Sequence, residues 1–276
     1  MSLHADAVDR HYGQSDLSAR ILAALQGAGK DIDHLQRDDV ASFDEFHNGG
    51  RDATRILARL GGIAPGMRVL DIGSGVGGPA RTLAAEFGCT VVGIDLTQAF
   101  CDAAEMLTAR LGMSDRVSFR QGNALAMPFD DETFDVVWTQ NVLMNIEDKL
   151  GLFRQMYRVL RPGGRLVIQA VMAGPIPGAH YPTPWASEPS LSFLAPPAQV
   201  RHWLLEAGFT EVVWEDVSAK LLALPLPSLS AAVPGAPPPI GWELFMTDLA
   251  LIRTNAIRNR EGEHVVTMHA VVERRA

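Results

Sequence analysis

The segment VLDIGSGVGGPAR, residues 69–81, contains the residues whose types and spacing most clearly indicate ligand chemistry. An apolar run reaches Asp71, and glycines follow at Gly73, Gly75 and Gly77. Glycine tolerates positive φ and lets a ligand approach the backbone, and the free N–H groups of a following helix create positive potential. We therefore predict a strand, a ligand-binding turn and a helix, an arrangement that would also suit a dinucleotide.

Polar residues also follow the next two predicted strands. Asp95 ends the second strand, 24 residues after Asp71, and this spacing suits a carboxylate that accepts hydrogen bonds from a ribose diol. Asn123 and Ala124 follow the third strand, where a side-chain oxygen and a backbone N–H could bind the edge of an adenine ring. A helix-capping aspartate and an ordinary turn are the alternative interpretations.

An alternation of short β-branched runs and longer amphipathic runs would position these residues. Five strands are predicted, at 68–72, 90–95, 116–121, 134–140 and 165–171, with helices near 79–87, 97–111 and 147–160. Such alternation with short loops predicts an α/β fold, a parallel sheet covered on both faces. Later strands at 211–216 and 264–272 would complete a seven-stranded, mostly parallel sheet with an antiparallel last strand.

We interpret residues 1–276 as one domain with three kinds of segment. Apolar stripes predict a helical cap over 1–60, and the cofactor-binding core covers 61–172. Two stretches, 173–198 and 217–263, interrupt the alternation of strands and helices. The first stretch is rich in proline, as is 223–242 within the second. Because long loops at the carboxyl edge of a parallel sheet border its ligand crevice, we predict a lid or acceptor-side insertions, with rigid surface linkers as the alternative.

Composition limits the class of protein. The chain has 276 residues, 47% of them hydrophobic, and a formal net charge of −8, which disfavours nucleic acid or an anionic membrane as the main partner. No signal peptide and no membrane span is recognisable. Cys89 and Cys101 cannot form a disulfide framework, and no Cys/His cluster indicates a metal site. We expect a cytoplasmic protein that needs no metal and leave its oligomeric state open.

Taken together, the motifs resemble the class I S-adenosylmethionine-dependent methyltransferases. Over residues 60–172 the motifs DIGSGVG, GIDL, GNALAMPF, FDVVWTQ and VLRPGGRL occur in that family's order. FDEFHNGGRDAT before the core and HYPTPWASEP after it look like the small-molecule enzymes of the sarcosine/dimethylglycine and sterol or tocopherol methyltransferase type. The resemblance implies a Rossmann-like fold, S-adenosyl-L-methionine as cofactor and a small-molecule methyl acceptor.

The resemblance also implies roles for individual residues. Gly73, Ser74, Gly75 and Gly77 would cradle the amino-acid part of the cofactor, with Asp71 orienting that turn or the cofactor's ammonium. Asp95 would bind the ribose and Leu96 would lie beside the adenine, while Gln140 completes the cofactor site. Asn123 stands where the family usually has aspartate, but its carbonyl oxygen can still accept a hydrogen bond.

On the acceptor side, the segment WTQNVLMN, residues 138–145, lacks the histidines that act as general bases in some relatives. His47 is therefore the candidate catalytic residue, with a hydrogen-bonded loop histidine as the alternative. The candidate substrate-binding residues are Tyr12, Phe46, Asn141, Asn145, Tyr181 and Trp185. Helix capping is the alternative for the two asparagines and core packing is the alternative for each aromatic residue; Phe193 and Trp242 are further aromatic candidates.

The predicted function is methyl transfer to a small molecule. Nitrogen and oxygen both remain open as the methylated atom, with a slight preference for nitrogen because the usual base position is empty. A regulatory protein that binds S-adenosylmethionine without catalysis is the alternative. An NAD-dependent dehydrogenase would share the glycine turn and Asp95 but fits the later motifs less well.

Overall fold

The computed structural model describes residues 16–222 and 240–276. Within them lies a seven-stranded sheet: β1 (Arg68–Ile72), β2 (Thr90–Asp95), β3 (Val117–Gln121), β4 (Phe134–Gln140), β5 (Leu160–Ala173), β6 (Phe209–Asp216) and β7 (Val265–Arg274). The strand order is β3-β2-β1-β4-β5-β7-β6, and β7 runs antiparallel to both of its neighbours. The predicted Rossmann-like sheet with an antiparallel last strand is therefore confirmed.

Helices cover both faces of the sheet. They are α1 (Leu17–Gly27), α2 (Arg37–Val40), α3 (Gly50–Gly61), α4 (Gly78–Phe87), α5 (Gln98–Arg110), α6 (Lys149–Val159), α7 (Pro197–Glu206), α8 (Ser218–Leu222) and α9 (Leu249–Glu261). One buried apolar cluster joins the sheet to α6 and α7, and a second joins it to α3, α4 and α5. The central strands are apolar on both faces because both faces are covered.

A third apolar cluster attaches the N-terminal cap to the sheet's helical layer. Leu17, Ile21 and Leu25 of α1 are buried against α5, together with Phe43 and with Phe245 from the second insertion. The predicted apolar stripe of α3 is only partly buried, since Ala53 and Leu57 are inaccessible but Ile56 is 43% exposed. Cap and second insertion thus share one core.

The two insertions also contact each other through α9. Asn259 Nδ2 donates to the backbone oxygen of His180 at 2.9 Å, and Asn255 Nδ2 donates to that of Pro182 at 3.1 Å. Both asparagines are buried. A buried amide is stabilised only when it finds such partners, so α9 holds the segment around 180–182 in place.

The parallel register brings the ends of three strands to one edge. Ile72 of β1 pairs with Ile94 of β2 and with Thr139 of β4. Consequently the turn after β1, Asp95 and Gln140 meet at the carboxyl edge of the sheet, where ligands of open α/β sheets bind. In the described part of the chain, no helix has the length and apolar character needed to cross a membrane.

Candidate functional site

A cavity of about 420 Å³ lies at this carboxyl edge. Its wall contains fourteen of the residues predicted from the sequence: Phe46, His47, Asp71, Gly73, Ser74, Gly75, Asp95, Leu96, Asn123, Ala124, Gln140, Asn141, Asn145 and Trp185. Gly77 and Tyr181 are not part of the wall, and Tyr12 lies outside the described residues. Together with Trp242, these residues place four strand ends, the cap and both insertions around one space.

The turn after β1 needs its glycines for different reasons. Gly73 and Gly75 both have positive φ, +70° and +53°. A Cβ on Gly73 would lie 2.2 Å from Val142 Cγ2, whereas a Cβ on Gly75 would meet no atom within 4 Å. The open space beside Gly75 is cavity, so its backbone is accessible to a ligand.

Gly77 serves packing rather than ligand contact. Its φ is +85°, and a Cβ there would lie 2.4 Å from Phe119 Cζ and 2.8 Å from Arg81 Nη1. Its role is therefore to let α4 start directly against β3. Tyr181, in turn, packs with Met144, Val171 and Trp185 behind the cavity, where it supports the wall from outside.

Asp95 connects the end of β2 to the glycine turn. One carboxylate oxygen accepts from Gly75 N at 2.9 Å and the other from Thr97 N at 3.0 Å. Each carboxylate oxygen can accept a further hydrogen bond. Asp95 thus fixes the glycine turn from the end of β2.

Three oxygens around the glycine turn are buried without a hydrogen-bond partner among the described residues: Asp44 Oδ1, Asp71 Oδ2 and Ser74 Oγ. All three residues line the cavity. Leaving such groups unpaired is costly, so their presence at one cavity wall indicates a polar ligand that supplies hydrogen-bond donors.

Burial and like charges shift the pKa values of the two carboxyl groups upward. Burial, with Glu45 and Asp95 nearby, raises the pKa of Asp71 to about 8. Burial also raises the pKa of Asp44 to about 6, although Arg81 opposes that shift. A cationic ligand group at this wall would favour the ionised carboxylates and lower both values.

Asp44 was not identified from the sequence because it reaches the site only through tertiary packing. Arg81 of α4 is buried and donates from Nη2 to Asp44 Oδ2 at 3.0 Å and from Nη1 to Thr108 Oγ1 at 3.1 Å. A Cβ on Gly78 would lie 2.1 Å from the backbone oxygen of Asp44. The second glycine of the VGGP sequence thus admits the cap backbone against the start of α4.

His47 belongs to a buried polar network. Its Nε2 donates to Glu45 Oε2 at 2.9 Å, and Nδ1 lies 3.3 Å from the Asn48 oxygen and 3.5 Å from Gln140 Nε2. Burial alone would raise the pKa of Glu45, but hydrogen bonds from His47, Thr82 and Thr54 hold it below its ordinary value. Glu45 is therefore a buried carboxylate that orients the imidazole, and sequence reasoning missed it.

Gln140 is held in the same network. Its Oε1 accepts from Trp138 Nε1 at 3.0 Å and lies 3.1 Å from Thr54 Oγ1. These contacts hold the amide, so Gln140 borders the cavity as a fixed wall residue. Asn123 is similarly engaged, since its Oδ1 accepts from Leu125 N at 2.9 Å and caps the short turn Ala124–Ala126.

Asn141 and Asn145 differ in how they meet the cavity. Asn141 adopts a φ of +55°, and its buried Oδ1 lacks a partner among the described residues. Asn145 Nδ2 donates to the Trp185 oxygen at 2.7 Å, which ties the first insertion to the segment after β4. Asn141, with positive φ and a side-chain oxygen that lacks a partner among the described residues, is thus the better candidate for ligand contact.

Aromatic and apolar side chains form the remaining wall. Phe46 of the cap packs edge-to-face on Trp242 with ring centroids 4.8 Å apart. Trp185 is buried and donates from Nε1 to Ser192 Oγ at 2.9 Å. Cys89 and Cys101 lie elsewhere; burial raises the pKa of their thiols to about 11 and 12, as expected of unreactive packing residues.

Residues 70–168 match the family model described as a methyltransferase domain. The core of this chain is a methyltransferase domain. Within the described residues, no grouping of three or more His, Cys, Asp or Glu side chains could hold a metal ion.

Curated relatives of the domain include enzymes named for different activities. Methyltransferase GfsG of Streptomyces halstedii is 36% identical over 49% of this chain and 48% of its own length. The 27-O-demethylrifamycin SV methyltransferase of Amycolatopsis mediterranei is 35% identical over 54% of each chain. The glycine/sarcosine/dimethylglycine N-methyltransferase of Actinopolyspora halophila is 29% identical over 67% of this chain and 32% of its own. This chain thus covers about half of their length or less.

Solved structures share the whole architecture. The SpnF cyclase superposes with a TM-score of 0.68 at 20% identity and covers 100% of this chain and 98% of its own. The geranyl diphosphate C-methyltransferase of Streptomyces coelicolor superposes with a TM-score of 0.68 at 19% identity and covers 99% of this chain and 98% of its own. The fold of this chain therefore recurs in other proteins.

Proposed function

We propose that this protein transfers a methyl group from S-adenosyl-L-methionine to a small-molecule acceptor. The observation that carries the proposal is the cavity beside the glycine turn, where Gly75 leaves open space and Asp44, Asp71 and Ser74 have unpartnered oxygens. The family match over residues 70–168 supports it. Two structural neighbours, from Haemonchus contortus and Streptomyces coelicolor, were solved in complex with S-adenosylmethionine and with S-adenosylhomocysteine, respectively.

The residues present fit this cofactor. Its ammonium would meet the unpartnered carboxylate oxygens of Asp44 and Asp71 together with Ser74 Oγ. Its ribose hydroxyls would donate to Asp95, and the adenine would lie by Leu96 with Asn123 and Ala124 at its edge. An ammonium supplies the donors that these buried oxygens lack.

Catalysis would depend mainly on alignment. When bound, the cofactor supplies a methyl carbon on sulfonium, and the C–S bond pair leaves with sulfur as a neutral thioether. The domain must hold the acceptor in line with that carbon and exclude water, and alignment of this kind contributes about 7–11 kcal/mol. Asn141, Asn145 and Trp185 border the space in which the acceptor would lie.

We further propose a role for each segment of the chain. Residues 1–60 act as the cap, 61–172 hold the cofactor, and 173–198 with 217–263 form the acceptor side. The burial of Phe43 with Phe245 and the contact of Phe46 with Trp242 support a cavity wall that the cap and the second insertion build together.

The first prediction tests the cofactor site. Asp95→Ala removes a carboxylate that accepts from ligand hydroxyls and also fixes the Gly75 backbone. We expect the cofactor to bind more weakly by about 1.5–3 kcal/mol, the range for hydrogen bonds to charged groups, or roughly 10- to 150-fold in Kd. Isothermal titration of S-adenosylmethionine measures this change.

The matched control is Asp115→Ala, because Asp115 is exposed on the surface away from the cavity. It should leave the affinity unchanged. Binding of NAD in preference to S-adenosylmethionine, or equal affinity of Asp95→Ala and the unaltered protein, would contradict the assignment. Since a cyclase shares this fold, methyl transfer must be measured directly, as the gain of one methyl group by an acceptor; binding without any transfer would favour a regulatory role.

A further inference from the structure

The charge of the cavity wall limits the acceptor. Among the described residues, none of the lining side chains is lysine or arginine, whereas five are acidic: Asp44, Asp71, Asp95, Glu147 and Asp148. A phosphate or carboxylate on the acceptor would therefore find no lysine or arginine side chain in this wall. Burying an anion beside carboxylates is strongly unfavourable.

The sequence outside the described residues adds little positive charge. Residues 223–239 contain no charged residue at all, and residues 1–15 contain one arginine, Arg10. The segment nearest in sequence to Trp242 therefore brings no partner for an anion. The wall favours an acceptor without negative charge.

Elements other than the glycine turn also contribute apolar and aromatic side chains to the wall, namely Phe46, Met144, Ile146, Val171, Trp185 and Trp242. Aromatic and aliphatic walls of this kind bind apolar surface, with a few polar groups fixing orientation. The acceptor that fits is largely apolar, and its reacting atom must reach one of the polar groups at the cavity.

Glu45 and His47 provide such a group. Glu45 Oε2 accepts from His47 Nε2 at 2.9 Å and from Thr54 Oγ1 at 2.8 Å, and both side chains are almost wholly buried. The contacts of His47 Nδ1, at 3.3 and 3.5 Å, are long. Nδ1 is thus the ring nitrogen whose lone pair is least engaged, and His47 lines the cavity.

We infer that the acceptor is an uncharged, largely apolar hydroxyl compound and that His47, positioned by Glu45, takes its proton. The inference rests on the proposed methyl transfer. As the hydroxyl oxygen forms its bond to the methyl carbon, the O–H bond breaks and the proton moves to His47 Nδ1. The positive charge lost from the sulfonium reappears on the imidazolium, which Glu45 stabilises and from which the proton passes to solvent.

Other charged groups near the imidazole do not compete for this role. His269 of β7 interacts with His47, but burial lowers its pKa to about 4, so it is neutral. Asp71 of β1 has its pKa raised to about 8 by burial and by Glu45. Asp44 is paired with Arg81. Glu45 therefore remains the carboxylate that contacts His47 directly.

A matched set of probes tests the acceptor class. We would use 2-naphthol, 2-naphthylamine and 2-naphthyl phosphate, which share one apolar skeleton. Calorimetry on protein saturated with S-adenosylhomocysteine should give binding of 2-naphthol at least tenfold tighter than binding of the phosphate. With S-adenosylmethionine, mass spectrometry should find the methyl group on the oxygen of 2-naphthol.

Equal or tighter binding of the phosphate, faster methylation of the amine than of the hydroxyl, or binding of none of the three would each overturn the inference. Titration of S-adenosylmethionine alone separates this result from failure of the proposed function. A protein that binds the cofactor but prefers the phosphate refutes only the acceptor class; a protein that does not bind the cofactor refutes both.

Variants test the role of the pair. His47→Gln should lower kcat for the hydroxyl probe about 10²- to 10⁴-fold, the usual range for loss of a general base, and should abolish the fall of kcat/KM at acid pH. His202→Gln is the control, because His202 is an exposed histidine on α7. A His47→Gln enzyme with an unchanged rate and pH profile would overturn the inference.

Glu45→Gln should shift the acid limb of the pH profile to lower pH, because the imidazolium loses its stabilising carboxylate. Glu45→Asp retains the charge and should restore much of the original profile. A purely structural role of Glu45 would change the stability and leave the position of the limb unchanged, which would refute its positioning role. If Glu45→Gln does not fold, the rate and pH profile of His47→Gln alone decide whether His47 takes the proton.

Discussion

At the scale of single residues, a substitution at Gly75 should have two effects that can be measured separately, one on backbone strain and one on ligand contact. Its φ is +53°, and a Cβ there would meet no protein atom within 4 Å. Gly75→Ala should therefore cost about 1–2 kcal/mol of stability from the left-handed backbone. It should also lower the affinity for S-adenosylmethionine at least tenfold, because the new methyl group occupies cavity space. Urea unfolding and calorimetric titration measure the two effects.

Gly112→Ala provides the comparison for that variant. Gly112 follows α5, has a φ of +65° and also has open space at its Cβ position, but it does not line the cavity. It should lose similar stability and keep its cofactor affinity. Equal affinities of the two variants would mean that the cofactor does not approach Gly75.

Site residues could be predicted from the sequence where they belong to a short continuous motif. The glycine turn, Asp71 and Asp95 carry their signal within a strand-turn-helix pattern, and Asp71 and Asp95 line the cavity. Asp44 and Glu45 carry no such signal, since their partners Arg81 and Thr82 lie 37 residues later in the chain. Only the packing of the cap on α4 brings these side chains together.

At the scale of elements, strands were predicted better than late helices. The ranges 68–72, 90–95 and 134–140 coincide with β1, β2 and β4, because buried parallel strands are short β-branched runs. Helices α7 and α9 were missed. Pro197 stands at the first position of α7, where proline is tolerated, so its proline-rich approach conceals a helix start. Helix α9 buries Asn255 and Asn259 and exposes Leu251, which obscures an apolar stripe.

Lys149, at the start of α6, fastens the first insertion to the core. Its side chain is buried, and Nζ donates to the backbone oxygens of Ile146 and Phe193. Phe193 N in turn donates to the Met144 oxygen at 2.7 Å. Burial lowers the pKa of this amine to about 8. One side chain therefore holds the segment that follows Trp185 against the cavity wall.

Lys149→Met should loosen that segment. The substitution keeps most of the apolar stem but leaves two carbonyl groups without their donor, at a cost of about 1–3 kcal/mol. We expect faster hydrogen exchange at the Phe193 amide and a higher KM for the acceptor, with little change in cofactor affinity. Lys220→Met, at an exposed site on α8, is the control. Unchanged exchange in Lys149→Met would contradict the fastening role.

At the scale of the whole molecule, the cavity depends on segments that are distant in sequence. Phe46 of the cap, Asn145 after β4, Trp185 of the first insertion and Trp242 of the second border the same space. Cap and second insertion share a core through Phe43 and Phe245, and α9 binds the backbone of the first insertion. Ligand binding is therefore expected to stabilise the packing of all three segments against one another.

The raised pKa values of the buried carboxyl groups at this site should make the free energy of unfolding depend on pH. Burial raises the pKa of Asp71 to about 8, whereas in the unfolded chain an aspartate loses its proton near pH 3.9. Between these two values the folded state binds more protons, so the contribution of Asp71 to the free energy of unfolding falls as pH rises. Asp44, with its pKa raised to about 6, contributes with the same sign over a narrower range. His269, with its pKa lowered to about 4, contributes with the opposite sign at acid pH.

Asp71→Asn isolates the contribution of Asp71, because those of Asp44 and His269 are common to both proteins and largely cancel in the difference. The variant should gain stability relative to the unaltered protein as the pH is raised from 5 to 8, and it should bind S-adenosylmethionine more weakly. Urea unfolding at pH 5, 6.5 and 8 measures the first effect, and Asp115→Asn on the surface should follow the unaltered protein.

Cofactor binding at pH 7 should also release protons, since the ammonium favours ionised Asp71. Titration in buffers of different ionisation enthalpy detects that release, and a buffer-independent heat together with a constant stability difference would mean that Asp71 is already ionised in the free protein.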